Sequence, residues 1–146
     1  MDPESRSEGA AVATEIGTET VLLRVPADPD YLAVIRSASA HVATKFGCTL
    51  PEVSDLRLAV DEAGGLLLRH TVPQRPAGGA ADLECRFVLE PEVLRVFLSL
   101  QAQDVAEPAD DDFGWTILSA LVDDIRWRAE GPTVRVEILK RRSAGR

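Results

Sequence analysis

Two stretches of alternating apolar and polar residues in the middle of the chain constrain its fold most strongly. Residues 81–90 (ADLECRFVLE) place Leu83, Cys85 and Phe87 on one side, and residues 94–103 (LRVFLSLQAQ) repeat the pattern after the turn-forming EPEV. Alternation with a period of two is typical of strands with one buried face, and a short turn between two such strands predicts a hairpin. The apolar face of this hairpin needs a hydrophobic cover, which the rest of the chain must provide.

The flanking segments provide that cover. Helical spacing of apolar residues marks three segments, over residues 31–46, 51–69 and 113–125, the second with Ser54 as a possible cap. Alternation marks two further strands, over residues 19–25 and 133–140, the latter with Val134, Val136 and Ile138 facing inward. The order β-α-α-β-β-α-β predicts an α/β fold: a two-layer sandwich in which helices cover one face of a mixed, mostly antiparallel sheet.

The length of 146 residues fits a single domain with a substantial core. Residues 1–18 are polar and aperiodic and predict a disordered leader, residues 19–140 form the predicted domain, and residues 141–146 form a short basic tail that we expect to be solvated. The sequence shows no secretory signal and no apolar run of membrane-spanning length, so we expect a cytoplasmic protein without membrane association.

Charge and composition exclude several classes of function. With 24 acidic and 16 basic residues the chain carries a net charge of −8, which argues against direct binding to nucleic acid. The acidic surface indicates either basic protein partners or simply solubility. Two cysteines and two histidines without metal-ligand spacing predict no metal site, and no P-loop, dinucleotide fingerprint or nucleophile elbow is present.

The second predicted helix contains the unusual run DEAGGLLLRH, Asp61 to His70. The adjacent Gly64 and Gly65 each cost about 1 kcal/mol of helix stability relative to alanine. Two explanations remain open: close approach of a ligand, ring or backbone, or tight packing inside the domain. Glu62 has the same ambiguity, since it is either a solvated or ion-paired carboxylate or a group that faces a pocket.

These residues resemble a known family. DLRLAVDEAGGLLLRH is similar to the LAxxEAxxNxxxH helix of the anti-sigma-factor serine kinases, within the GHKL (histidine-kinase-like ATPase) superfamily, and FGWTILSALVDDIRW to their GxGLxLIxxLxDE helix. The resemblance extends from Glu19 to Lys140 and is closest to the actinobacterial branch that inhibits general-stress or sporulation sigma factors. It implies a histidine-kinase-like ATPase fold, ATP and Mg²⁺ as cofactors, a sigma-factor partner, an anti-anti-sigma partner of the STAS type, and a homodimer.

The chain departs from this family at the positions that hold the nucleotide. By resemblance, Glu62 is the general base, but Leu66 occupies the position of the Mg²⁺-binding asparagine and has no oxygen to offer. Asp104 matches the adenine-binding aspartate without the glycines that should follow it, and it could equally be an ordinary loop residue. Gly114 alone remains of the glycines before the third helix. The predicted site is thus Glu62 as a degenerate base, with Asp104, Gly114 and Leu66 at cofactor positions and no metal ligand.

Three functions follow as hypotheses. The first is an anti-sigma factor that binds and inhibits an alternative sigma factor, is released by an anti-anti-sigma partner, and has weak or lost kinase activity, so that ATP and Mg²⁺ binding is also weak or lost. The second is an active ATP-dependent protein serine kinase that phosphorylates the anti-anti-sigma factor. The third is a stand-alone ligand-binding or scaffold domain. Leu66 favours the first over the second, because losing the metal removes much of the catalysis of phosphoryl transfer. Nothing in the sequence separates the first from the third, which binding of a sigma factor would distinguish.

Overall fold

The computed structural model describes residues 18–75, 77, 79 and 81–143. Apart from Thr18, the leader predicted over residues 1–18 lies outside these residues, as do residues 144–146 of the tail. The strands are β1 (Glu19–Pro26), β2 (Thr71–Pro73), β3 (Asp82–Leu89), β4 (Val93–Val105), β5 (Asp124–Glu130) and β6 (Thr133–Arg141). The helices are α1 (Leu32–Phe46), α2 (Leu50–His70) and α3 (Phe113–Leu121), with a 3-10 turn at Pro29–Tyr31.

The strands form one sheet in the order β1-β3-β4-β6-β5, and β2 pairs with the far end of β4. The predicted hairpin is present as β3 and β4, in which Cys85 lies opposite Leu98. All pairings among the described strands are antiparallel, so the parallel pairing that a mixed sheet would contain is not found among them. The predicted α/β class, with helices packed on one face of a mostly antiparallel sheet, is confirmed.

Two strands, β2 and β5, were missed, and the third helix is shorter than predicted. α3 ends at Leu121, and β5 follows where the prediction continued the helix to Ile125. β5 and β6 form a second hairpin around Gly131 and Pro132, and Gly131 has the left-handed φ of 59° that suits glycine in a tight turn. The order is therefore β-α-α-β-β-β-α-β-β, counting the short strand β2 directly after α2.

The core lies between the helices and the inner face of the sheet. Leu83, Cys85 and Phe87 of β3 are fully buried, as predicted from their alternation. Val134, Val136 and Ile138 of β6 extend the same face and are equally inaccessible. Helix residues that complete the core are Leu32, Ile35, Val42, Ala43, Phe46, Leu56, Ala59, Val60, Ala63, Leu66, Leu67 and Leu118. Within the described residues no helix is long and apolar enough to cross a membrane.

Local sequence signals fix the turn between α1 and α2. Gly47 ends α1 with a φ of 100°, as expected of a glycine stop. Thr49 caps α2, because its hydroxyl accepts from the Glu52 N–H while the Glu52 carboxylate accepts from the Thr49 N–H. The cap is thus Thr49 and not Ser54, and the helix begins one residue before Pro51.

Of the two explanations for the paired glycines, the structure at Gly64 favours tight packing inside the domain. A β-carbon at Gly64 would lie 2.6 Å from Cδ2 of Leu32, so the missing side chain lets α1 approach α2 closely. A β-carbon at Gly65 would meet only the guanidinium end of Arg69, at 2.8 Å. The first glycine therefore serves the interface between the two helices.

The start of the predicted tail is packed against the domain. Arg141 belongs to β6, and Arg142 donates from Nη1 to the carbonyl of Phe46 over 2.6 Å. The Arg142 guanidinium also lies over the Phe46 ring, 4.2 Å from its centroid. Residues 141 and 142 thus differ from the solvated tail that the charge run suggested, because the arginine covers the end of α1.

Candidate functional site

Glu62 lies on the side of α2 that faces the first turn of α3. Its Oε2 accepts a hydrogen bond from Nη2 of Arg69 over 2.9 Å, and its side chain is 25% exposed. Gly114 lies directly against the same carboxylate: a β-carbon there would overlap Glu62 Oε2 and lie 2.9 Å from Arg69 Nη2. We refer to Glu62, Arg69 and Gly114 as the α2–α3 contact. In it the carboxylate is neutralised by a cation and covered by backbone.

Leu66 follows Glu62 by one helical turn but points into the core. Its side chain is fully buried and belongs to the same cluster as Leu67 and Ala63. Leucine at this position therefore contributes apolar packing to the domain. It has no polar atom with which to bind a cation or a phosphate.

Asp104 lies within β4 and not in the loop where the sequence placed it. Strand β4 continues to Val105, and Asp104 is paired with Val72 of β2. Its Oδ1 accepts from the N–H of Val105 over 2.9 Å, and the residue is exposed. Among the contacts of the described residues, its side chain is bonded to its own neighbour rather than to Glu62, Leu66 or Gly114.

Asp112 and His70 join the start of α3 to the end of α2. Asp112 caps α3 by accepting from the N–H of Trp115 over 3.2 Å, and its Oδ2 lies 3.3 Å from Nε2 of His70. The N–H of Trp115 is the main cause of the lowered pKa of Asp112, with smaller contributions from the N–H of Gly114 and from His70. The other ring nitrogen of His70 is 2.8 Å from the carbonyl of Ala106. These bonds fix the segment between β4 and α3 against α2.

The two tryptophans flank this region from the core side. Trp127 of β5 meets the ring of His70 edge to face, with 6.3 Å between centroids, and Trp115 is partly buried against the core. The Nε1 of Trp127 is buried without a hydrogen-bond partner among the described residues. Both aromatic residues thus pack against the core at this end of the domain.

The residues present do not fit a bound Mg·ATP. The expected base is held by Arg69, the expected metal ligand is a buried leucine, and the expected adenine contact is turned to the backbone of Val105. Among the described residues, no group of three or more histidine, cysteine, aspartate or glutamate side chains is arranged to hold a metal ion. The first turn of α3 also lies directly against the Glu62 carboxylate, at Gly114. This arrangement instead holds α2 and α3 against each other.

The sequence prediction identified part of this constellation. Of the four predicted positions, the structure brings Glu62 and Gly114 together, whereas Leu66 lies in the core and Asp104 on the surface. The prediction did not single out Arg69 or Asp112. An aspartate directly before a helix is a capping signal that would have identified Asp112. Arg69 follows Glu62 by two helical turns, a spacing too long for a simple one-turn pair.

Comparisons with known proteins cover most of this fold. The sequence model of the family described as "Histidine kinase-like ATPase domain" matches residues 25–138. The chain is 31% identical over 119 residues to the anti-sigma-F factor RsbW of Mycobacterium tuberculosis (strain ATCC 25618 / H37Rv), covering 79% of this chain and 65% of that protein. It is 31% identical over 77 residues to the serine-protein kinase RsbW of Bacillus subtilis (strain 168), covering 53% and 46%. The chain thus spans less than two thirds of the length of these relatives.

A solved structure shares the fold. The crystal structure of the RsbU and RsbW domains of Rv1364c from Mycobacterium tuberculosis matches with a TM-score of 0.65 at 12% identity, covering 86% of this chain and 34% of that one. At this identity the likeness concerns the fold alone. The family match, which extends over well more than half of the sequence, is the stronger finding. The chain belongs to the histidine kinase-like ATPase domain family.

Proposed function

We propose that this chain is an anti-sigma factor that inhibits its sigma subunit by occupancy, with weak or lost kinase activity. The observation that carries the proposal is the fully buried Leu66 at the position where the family resemblance expects the Mg²⁺ ligand. Phosphoryl transfer depends on metal positioning and charge neutralisation, and an aliphatic side chain provides neither. The names of the relatives, an anti-sigma-F factor and a serine-protein kinase, support a role in sigma regulation.

The acidic segment between β4 and α3 supports a basic partner. Glu107, Asp110 and Asp111 are exposed there, on a segment fixed to α2 through His70. Sigma subunits carry basic, DNA-contacting regions, so exposed carboxylates would accelerate association by electrostatic steering. Release then requires a competing protein, which we propose is an anti-anti-sigma factor of the STAS type. The proposed working form is a cytoplasmic homodimer built from the domain at residues 19–140.

The active kinase remains the second candidate because Glu62 is retained and faces α3. In that case Arg69 would have to release the carboxylate before it could act as a base. ATP and Mg²⁺ would then bind beside Glu62 with altered metal ligands, of which the described residues offer no preassembled group. The first proposal accounts for more of the observed contacts.

Two assays on the full-length chain separate these candidates. Purified chain is mixed with each sigma subunit of its source organism, and complexes are measured by size-exclusion chromatography coupled to light scattering. In parallel, transfer of radiolabelled phosphate from ATP to purified anti-anti-sigma proteins is measured with Mg²⁺. We expect a sigma complex that the substitution Glu62→Gln leaves intact, and no phosphoserine above background. Mg²⁺-dependent phosphorylation that Glu62→Gln abolishes would contradict the proposal.

A further inference from the structure

The face of the sheet opposite the helices is rich in arginine. The strands place seven arginines and five carboxylates on this face, so it carries a net charge of +2 within a chain of net charge −8. The arginines are Arg24, Arg86, Arg95, Arg126, Arg128, Arg135 and Arg141. A positive surface on an acidic protein concentrates the cations in one place, which indicates attraction of an anionic partner to this face.

The cations on this face outnumber the carboxylates that neutralise them. Arg128 and Arg135 lie directly opposite each other on β5 and β6, an arrangement that like charges normally disfavour. They share Glu137, which is 3.0 Å from Arg128 and 2.8 Å from Arg135, and Arg135 has a second, longer contact of 3.8 Å with Glu130. Arg126 is bound in turn to Asp124 over 3.2 Å. With seven arginines and five carboxylates on the face, part of the positive charge is left unbalanced. An incoming carboxylate would balance it.

β5 also has a free edge. It is the last strand in the sheet order, so one row of its backbone groups has no neighbouring strand among the described residues. Arg126 and Arg128 stand at alternate positions of this strand, so their side chains repeat every two residues, about 6.6–6.8 Å apart. Alternate side chains of any strand added beside β5 would have the same repeat.

We propose that the free edge of β5 binds an extended acidic protein segment, which joins the sheet as an additional strand. Its backbone pairs with β5, and acidic side chains at every second position reach Arg126 and Arg128. Strand addition of this kind takes affinity from main-chain hydrogen bonds and specificity from alternate side chains. A depression of about 390 Å³, lined in part by Arg95, Phe97 and Arg126, adjoins the edge. It can receive side chains of the bound segment that point towards this face.

Charge complementarity favours an acidic protein segment over a nucleic acid. A phosphate backbone continues beyond the face and would meet the acidic remainder of the chain, whereas a short peptide covers the arginines alone. A second copy of the same face is also disfavoured, since it would place arginines against arginines. This surface is distinct from the α2–α3 contact, and the inference does not depend on the proposed inhibition of a sigma subunit.

The test uses the full-length chain and fluorescein-labelled peptides of equal charge. The first peptide alternates glutamate and valine, the second has the glutamates in one block, and the third replaces each valine of the first with proline. Fluorescence anisotropy should show that the alternating peptide binds most tightly and that added salt weakens it. The proline peptide keeps the carboxylates but cannot pair with β5, so we expect it to lose binding.

Matched charge reversals locate the site. Arg126→Glu with Arg128→Glu should weaken binding of the alternating peptide by at least about tenfold, since two attractive contacts become repulsive. Lys45→Glu with Arg57→Glu changes the net charge equally, at exposed helix positions, and should leave binding unchanged. Circular dichroism of both variants checks folding, and Arg126→Gln with Arg128→Gln provides a milder substitution if the reversal unfolds the protein.

Several results would overturn the inference. One is equal binding of all three peptides, which would mean attraction without strand pairing. Another is an equal loss of peptide binding in both charge-reversal variants, which would show that the net charge of the protein, and not the position of the arginines on β5, determines binding. Tighter binding of an oligothymidylate than of the alternating peptide would assign the face to nucleic acid. If no peptide binds, or if only self-association measured by sedimentation responds to the β5 substitutions, the arginines serve to block pairing between sheet edges or copies instead.

Discussion

Arg69 and Glu62 are bound to each other across two turns of α2, with 2.9 Å between Nη2 and Oε2. The pair lies beneath Gly114, so the carboxylate that a kinase would use as a base is neutralised and covered at once. Arg69 itself is 55% exposed, which leaves the pair open to solvent on one side. The interaction is therefore well placed to occupy Glu62 but contributes little to overall stability.

The first prediction concerns the energy of this pair. Arg69→Ala and Glu62→Ala should each lower the free energy of unfolding by less than about 1 kcal/mol, because solvent screens a half-exposed pair. A double-mutant cycle in urea should return a coupling of about 0.2–1 kcal/mol. A coupling indistinguishable from zero would mean that the two side chains do not interact in solution.

The second prediction concerns Leu66. Leu66→Asn restores the residue that the family resemblance expects, but it places an amide among fully buried apolar side chains. We expect a loss of roughly 2–5 kcal/mol in urea unfolding, because apolar burial is lost and polar groups are left without partners. Leu58→Asn is the matched control on the same helix: Leu58 is 57% exposed, so its loss should stay within about 0.5 kcal/mol.

A different outcome for Leu66→Asn would be informative. If the variant were as stable as the parent protein and bound Mg·ATP, the position would line a nucleotide site and not the core. That result would contradict the packing role assigned to Leu66.

The third prediction concerns the cap of α3. Asp112→Ala removes the acceptor for the N–H of Trp115 and the partner of His70, so we expect a loss of about 0.5–2 kcal/mol. Asp111→Ala changes the charge equally at an exposed neighbour and should cost less than about 0.5 kcal/mol. Equal effects of the two substitutions in thermal unfolding would show that net charge matters and the cap does not.

The fourth prediction concerns pH. Hydrogen bonds from the Ser143 hydroxyl, the Thr49 N–H and the Lys140 ammonium lower the pKa of Glu52 from 4.5 to about 2. The folded state thus binds this proton more weakly than the unfolded state, so the stabilisation is complete above about pH 4.5–5 and is lost as the pH falls towards 2. Discounted for solvent, it amounts to roughly 1–2 kcal/mol.

Glu52→Gln isolates this contribution. Urea unfolding of the parent protein and of the variant should differ most at neutral pH and converge between pH 4.5 and 2, the interval between the two pKa values. If the difference between them were independent of pH over that interval, Glu52 would not be the responsible group.

The sheet could be predicted from sequence wherever one face alternates cleanly. Leu83, Cys85 and Phe87 alternate with polar residues, and period-two patterns determine which side chains face the core. The same signal was present in DIRWRAE, where Ile125, Trp127 and Ala129 alternate with charged residues. It was missed because residues 122–125 also continue the helical pattern of α3, and boundaries between abutting elements are poorly marked in sequence.

The candidate site was less accessible to sequence analysis. The family pattern indicated that Glu62 and Gly114 belong together, and the structure places them in contact. It could not indicate that Arg69 would occupy the carboxylate, because that depends on rotamers and on the closeness of α3. Nor could it place Asp104, which lies in β4 because β2 pairs with the end of that strand.

Isothermal titration of the full-length chain with ATP in the presence of Mg²⁺ tests the central claim most directly. With Glu62 held by Arg69 and a leucine at the metal position, the account predicts no saturable heat at micromolar nucleotide and no difference when Mg²⁺ is omitted. Stoichiometric binding at micromolar concentration that requires Mg²⁺, and that Glu62→Gln weakens, would contradict it.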